Sequence, residues 1–148
     1  MCVDYMMLNR KNYGVFVDKY TGWPGVYSGS TKFDTTRFLA RLCEDYRVPV
    51  SCTLDGITNL TAKAVEDMMN AYDIYHRISS VASPHRNARA ELVVKTVKRM
   101  LRGNVYRTGE LNKAKFFRAL LQLRYTPDRH TRMLPALASY GRELRDFL

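Results

Sequence analysis

Short apolar runs rich in β-forming residues open the chain. Residues 2–8 (CVDYMML) and 13–18 (YGVFVD) are two such runs, separated by the polar turn Asn9-Arg10-Lys11-Asn12. A third follows at 23–28 (WPGVYS), after Thr21-Gly22. Three closely spaced strands with short turns predict an antiparallel meander. The period then changes. Asp34 can cap a helix in which Phe38, Leu39, Leu42, Cys43 and Tyr46 share one face at 3.6-residue spacing. Residues 48–54 (VPVSCTL) form a fourth predicted strand, which Asp55-Gly56 closes. A second helix is expected from about Thr61 to Tyr72, with Val65, Met68 and Met69 inward, and a fifth strand from Ile74 to Ile78. Residues 79–84 are small and polar and read as a loop. A long helix follows from about Asn87 to Leu101, with Gly103 as its stop signal, and another from about Leu111 to Leu123. The pattern after Pro127 is ambiguous. Strands first and helices interleaved later indicate an α/β domain with a mixed sheet and flanking helices.

A chain of 148 residues suits one domain with a real core. Its 46% hydrophobic and 26% charged residues are ordinary for a soluble globular protein. Charge changes the picture: 24 Lys and Arg stand against 14 Asp and Glu, a net +10. Such a surplus suggests a polyanionic partner, nucleic acid first and an anionic membrane second. Cys2, Cys43 and Cys52 are odd in number and form no CxxC pair, so they read as reduced thiols of an intracellular protein. His76, His85 and His130 are scattered and offer no zinc-finger spacing. Asp4, Arg10, Lys11 and Asp18 interrupt the first twenty residues, against a signal peptide, and no run approaches the length of a bilayer span.

Three acidic residues stand out by position. Asp4 lies in the middle of an apolar strand, where an unpaired carboxylate is costly to bury. Asp55 closes the fourth strand, and Glu91 falls in the first turn or two of the long basic helix. Fifty-one positions take the chain from Asp4 to Asp55, and 35 residues lie between Asp55 and Glu91. Each also has an ordinary explanation: a satisfied strand-edge carboxylate, an Asp-Gly turn, and a helix residue favoured by the macrodipole. On the same helix Glu91, Lys95, Lys98 and Arg102 fall within a stripe about 60° wide. Val93, Val97, Met100 and Leu101 supply an apolar face. Segment 86–107 holds seven basic residues and one acidic. A solvated face with Glu91 paired to Lys95 is the plain alternative to a DNA-binding one.

Four stretches, in order, resemble the integrase catalytic core of gypsy-type retrotransposons and retroviruses. CVDYMMLNRKNYGVFVDKYTGWP is similar to the family's first hairpin, where an early aspartate precedes an element of the form VDRYSGWP. RVPVSCTLDG resembles its GVP…TDNG segment, and SSVASPHRNARAELVVKTVKRML resembles SSPYHPQSNGRAE followed by a basic helix. LRYTPDRHTRMLPALASYGREL resembles a stretch of the form YRTTPHSSTGMSPAELLFGRPL. The family is defined by two aspartates and a glutamate, with 35 residues between the last two.

The resemblance implies an RNase H-like fold, with a five-stranded mixed sheet flanked by helices. It implies Asp4, Asp55 and Glu91 as a catalytic triad holding two Mg²⁺ or Mn²⁺ ions, which hard oxygen ligands suit. The activity implied is 3′-end processing and strand transfer, with DNA as partner, a homodimer or higher oligomer, no membrane, and work inside the nucleus. Lys95 and Lys98 match lysines that contact the DNA end, Arg102 extends their stripe, and Thr58, Asn59 and Asn87 match polar residues near the substrate. Asp18 matches the aspartate of VDRYSGW, which is not a metal ligand, and Trp23 is expected to pack at a strand end.

Some positions depart from the pattern. Ile57 replaces a Gly, Leu60 a Phe, His85 a Gln and Ala88 a Gly, the last two in a loop that closes over DNA. Residues 1–148 read as an isolated core, without the zinc-binding and carboxy-terminal DNA-binding domains of full integrases. The alternative is a decayed or domesticated copy that binds DNA or a protein partner without catalysis.

Overall fold

The computed structural model describes residues 1–29, 35–54, 63–78, 84–129 and 131–142, with the backbone alone described at 78 and 84–87. β1 (Cys2–Leu8), β2 (Lys11–Val17) and β3 (Pro24–Gly29) form the expected antiparallel meander. The first turn is tighter than the sequence suggests. Asn9 and Arg10 alone make it, with φ of 47° and 60°, the two-residue geometry that matches strand twist. Lys11 and Asn12 therefore belong to β2.

α1 (Thr35–Tyr46) buries Phe38, Leu39, Leu42 and Cys43, the stripe read from its periodicity; Asp34 lies outside the described residues. β4 covers only Ser51–Leu54. Val48 and Val50, expected in this strand, are exposed and lie in the connector between α1, after which Arg47 takes a left-handed φ of 76°, and β4. α2 (Lys63–Ala71) turns Val65 and Met69 inward, and β5 (Tyr75–Ile78) follows. The sheet order is β3-β2-β1-β4-β5, with β1–β4 and β4–β5 parallel.

α3 (Pro84–Gly103) starts earlier than expected, with Pro at a first-turn position where its missing N–H costs nothing. His85, Asn87 and Ala88 are thus helical, not loop, and Glu91 stands in the third turn, beyond the reach of the helix's terminal dipole. α4 (Lys113–Tyr125) begins after Asn112, whose Oδ1 accepts from Lys115 N at 3.1 Å. The ambiguous tail forms α5 (Pro135–Tyr140), which ends at Gly141 in the left-handed region.

Two cores sandwich the sheet. Val3, Phe16, Cys52 and Leu54 pack against α1 and α2 on one face. Cys2, Met6, Tyr13, Val15 and Val17 pack against Ala90, Val94, Val97 and Leu101 of α3 and Phe116 and Leu120 of α4 on the other. Alternation along β1 places Asp4, between Cys2 and Met6, on the α3 face. This is the five-stranded mixed sheet with flanking helices that the sequence predicts.

Candidate active site

Beside α3, which packs across β1 and β2, a cleft of about 210 Å³ is lined by Cys2, Val3, Asp4, Thr53 of β4, Glu91, Val94 and Lys95. Three of the predicted site residues therefore meet in one place. The buried ridge of α3 runs Ala90, Val94, Val97, Leu101. Glu91, Lys95, Lys98 and Arg102 each follow a ridge residue by one position, about 100° round the helix. Val94 and Val97 fix the rotation of α3 against β1, so Glu91 and Lys95 stand at the margin of the packed interface.

Asp4 is held from both oxygens. Its Oδ1 accepts from Tyr5 N at 2.5 Å. Its Oδ2 lies 2.5 Å from Lys98 Nζ, with both side chains 17% exposed. Helical side chains lean toward the N-terminus, which aims Lys98 back along α3 toward the turn that carries Lys95. Lys98 is thus an ion-pair partner of a predicted triad residue as well as a member of the basic stripe. Arg102 is exposed in the last turn, about 16 Å along the axis from Glu91.

Leu54, the last described residue of β4, pairs in parallel with Val3. Asp55, Thr58 and Asn59 follow it in the chain and lie outside the described residues, as does the side chain of Asn87. Among the described residues no three His, Cys, Asp or Glu side chains group closely enough to hold a metal ion. Asp4 and Glu91 nonetheless give the cleft two hard oxygen donors. Burial raises the pKa of the neighbouring Cys2 thiol; Lys19 opposes the shift, and the Asp4 and Glu91 carboxylates add to it. The two carboxylates are hard oxygen donors of the kind an oxygen-seeking cation takes, and a protonated thiol adds no soft ligand beside them.

Asp18 has a different occupation. Its Oδ2 accepts from Thr21 N at 3.0 Å and from Thr21 Oγ1 at 2.6 Å, and Gly22 N donates to its carbonyl at 2.8 Å. It shapes the turn between β2 and β3. The next residue, Lys19, was missed as a site residue. Its Nζ donates to Thr53 Oγ1, a side chain of the cleft lining, and its charge acts on Cys2. The signal was present in VDKYTGWP, whose Lys stands where the resembled element has Arg.

The last resembling stretch packs behind the site. Trp23 is buried, as expected, with the Arg124 guanidinium 4.0 Å above its ring and Tyr140 edge-on at 5.0 Å. Arg124 also donates to Pro24 O at 3.1 and 2.9 Å. Arg89, two residues before Glu91, pairs with Asp128 at 2.8 Å. The Arg89 pair ties α3 to the segment between α4 and α5, and the Trp23 contacts tie the start of β3 to α4 and α5.

The same architecture occurs in solved structures. The catalytic core domain of BIV integrase is similar over 95% of this chain and 92% of that chain, with a TM-score of 0.71 and 16% identity. The chain has the fold of a retroviral integrase catalytic core. A chain of the simian T-cell lymphotropic virus intasome, in complex with PP2A regulatory subunit B56 gamma, is also similar, with a TM-score of 0.68 and 11% identity. There the match covers 98% of this chain and 56% of the other, so the integrase-core fold spans a little over half of that protein. No family model and no curated protein matches the sequence. Among the described residues, no helix is long and apolar enough to cross a membrane.

Proposed function

We propose that the chain is the catalytic core of a retroelement integrase, a polynucleotidyl transferase that trims DNA 3′ ends and joins them to target DNA. The observation that carries this reading is the convergence of Asp4 and Glu91 in one cleft, beside Lys95 and Lys98, on an integrase-core fold. Asp55 is the third carboxylate. It follows directly on Leu54, whose partner in β1 is the residue before Asp4.

Asp4, Asp55 and Glu91 would hold two Mg²⁺ or Mn²⁺ ions, which supply activation of the attacking oxygen and stabilisation of the leaving one. The chain's own part is binding and orientation. Lys95, Lys98 and Arg102 take DNA phosphates along one face of α3, and Asn87, Thr58 and Asn59 contact the DNA near the cut. Val3 and Val94 give the cleft apolar walls that limit water. The nucleophile is water when an end is trimmed and the new 3′-hydroxyl in strand transfer. The protein works as a homodimer or higher assembly, in the nucleus, where its DNA target lies.

A second reading, a DNA- or protein-binding module without turnover, is favoured by one observation: the Asp4 carboxylate already has a cation on it in Lys98. A nicking assay on labelled duplex DNA separates the two. The catalytic reading expects Mn²⁺-dependent nicks that Asp4→Asn, Asp55→Asn and Glu91→Gln each remove. Equal nicking by all four proteins would end that reading.

A further inference from the structure

Lys98 stands in two roles that exclude each other at any one moment. It lies on the basic stripe proposed to take DNA phosphates, yet its ammonium sits 2.5 Å from Asp4 Oδ2. The other oxygen of Asp4 is engaged by Tyr5 N. A cation approaching Oδ2 therefore meets the ammonium, and the two compete for the same negative charge.

We propose that Lys98 is the exchangeable counter-ion of Asp4: it neutralises the carboxylate while no divalent cation is bound, and cation binding releases it to a DNA phosphate. The inference rests on the reading of Asp4 as a cation ligand. A largely enclosed carboxylate without a partner is unfavourable, so the cation-free site needs a counter-charge that the chain itself supplies. Lysine suits the task, being a compact charge on a flexible stem that swings without a fixed planar geometry, unlike an Arg fork. The direction of its lean on α3 lets the same stem reach Asp4 or solvent. Lys95, one turn earlier, is exposed at the cleft and does not depend on the exchange.

The consequence is coupling. If a divalent cation frees Lys98 for phosphate, DNA must in turn favour the cation by the same factor. The site then binds DNA firmly only once it is charged with metal.

The test follows the Lys98 ammonium by ¹⁵N NMR in the wild-type chain during a Mg²⁺ titration, with calorimetry on the same samples. Without cation the ammonium signal is expected to be protected from exchange. Saturating Mg²⁺ shifts it to the position of a free lysine, where Asp4→Asn holds it from the start. Lys98→Met is expected to bind Mg²⁺ about tenfold more tightly than wild type. In anisotropy titrations at equal Mg²⁺, the cation should raise DNA affinity for wild type and Lys95→Ala, and by less for Lys98→Met. Mg²⁺ heat with an unmoved Lys98 signal would overturn the exchange and leave the cation site standing. No Mg²⁺ heat at all would overturn both.

Discussion

Val3 lies beside Leu54 in parallel register, and the next residues of the two segments are Asp4 and Asp55. The side-chain period of a strand is two, so a slip of one residue would turn Asp4 away from α3 and put an apolar side chain in its place. The hydrophobic pattern forbids the slip. Val3 belongs to the core under α1, while Cys2 and Met6 belong to the core under α3. Packing on both faces of β1 thereby fixes where the carboxylate points.

The Asp4–Lys98 pair also bears on stability. Asp4→Ala strands a largely enclosed ammonium, and a cost of about 2 kcal/mol is expected. Urea unfolding of the two proteins measures it. The double replacement Asp4→Ala, Lys98→Met should recover part of the loss, since no charge is left alone; a larger loss in the double variant would contradict the pairing.

Behind the site, the Trp23–Arg124 stack closes the fold. Trp23→Ala is expected to destabilise the chain by about 3–5 kcal/mol. Arg124→Lys should cost about 2 kcal/mol, because a point charge replaces neither the planar stack nor the paired donation to Pro24 O. Denaturant midpoints check both. The salt dependence of DNA binding should be unaltered in Arg124→Lys, which separates this packing role from phosphate contact.

DNA affinity itself should fall steeply as salt rises, because bound Lys and Arg release counterions. Replacing Lys95 by Ala should lower the slope of log affinity against log salt by about one. A slope unchanged in the Lys95→Ala, Lys98→Ala double variant would place the DNA on another face.

High pH should weaken the fold. Burial pushes the Cys52 thiol from an ordinary 9.0 up to about 12. Above pH 9 the unfolded chain gives up this proton while the folded chain keeps it, so the unfolded state binds fewer protons. The thiol's contribution is whole below pH 9 and is lost as pH rises toward 12, at no more than about 1.4 kcal/mol per pH unit. Thermal melts between pH 9 and 10.5 should fall more steeply for wild type than for Cys52→Ala. Parallel declines would show that Cys52 is not the source.

Much of this was legible in the sequence. Strand alternation and the 3.6-residue stripe of α1 follow from local packing, which composition records directly. The carboxylates came from spacing and resemblance, since nothing local distinguishes Asp4 from a satisfied strand residue or Glu91 from an exposed helix residue. The Asp4–Lys98 pair joins positions 94 residues apart, and only the rotation of α3 on β1 brings them together. Lys19 reaches Thr53 for the same kind of reason, through the β2–β3 turn that Asp18 shapes. The start of α3 was misplaced because 79–84 looked like one loop, whereas Pro84 opens the helix. α5 was illegible because six residues are too few for a helical period to show.

Asp4, Asp55 and Glu91 are proposed to act together on DNA through divalent cations. Disintegration of a branched DNA substrate by the purified chain, with Mn²⁺ and with Asp55→Asn as control, tests this most directly. The wild type should resolve the branch, and Asp55→Asn should lose the activity with an unchanged circular dichroism spectrum, since the substitution removes a charge and little else. A wild type that binds neither Mg²⁺ nor Mn²⁺ at millimolar concentration and leaves the branch intact would contradict the claim.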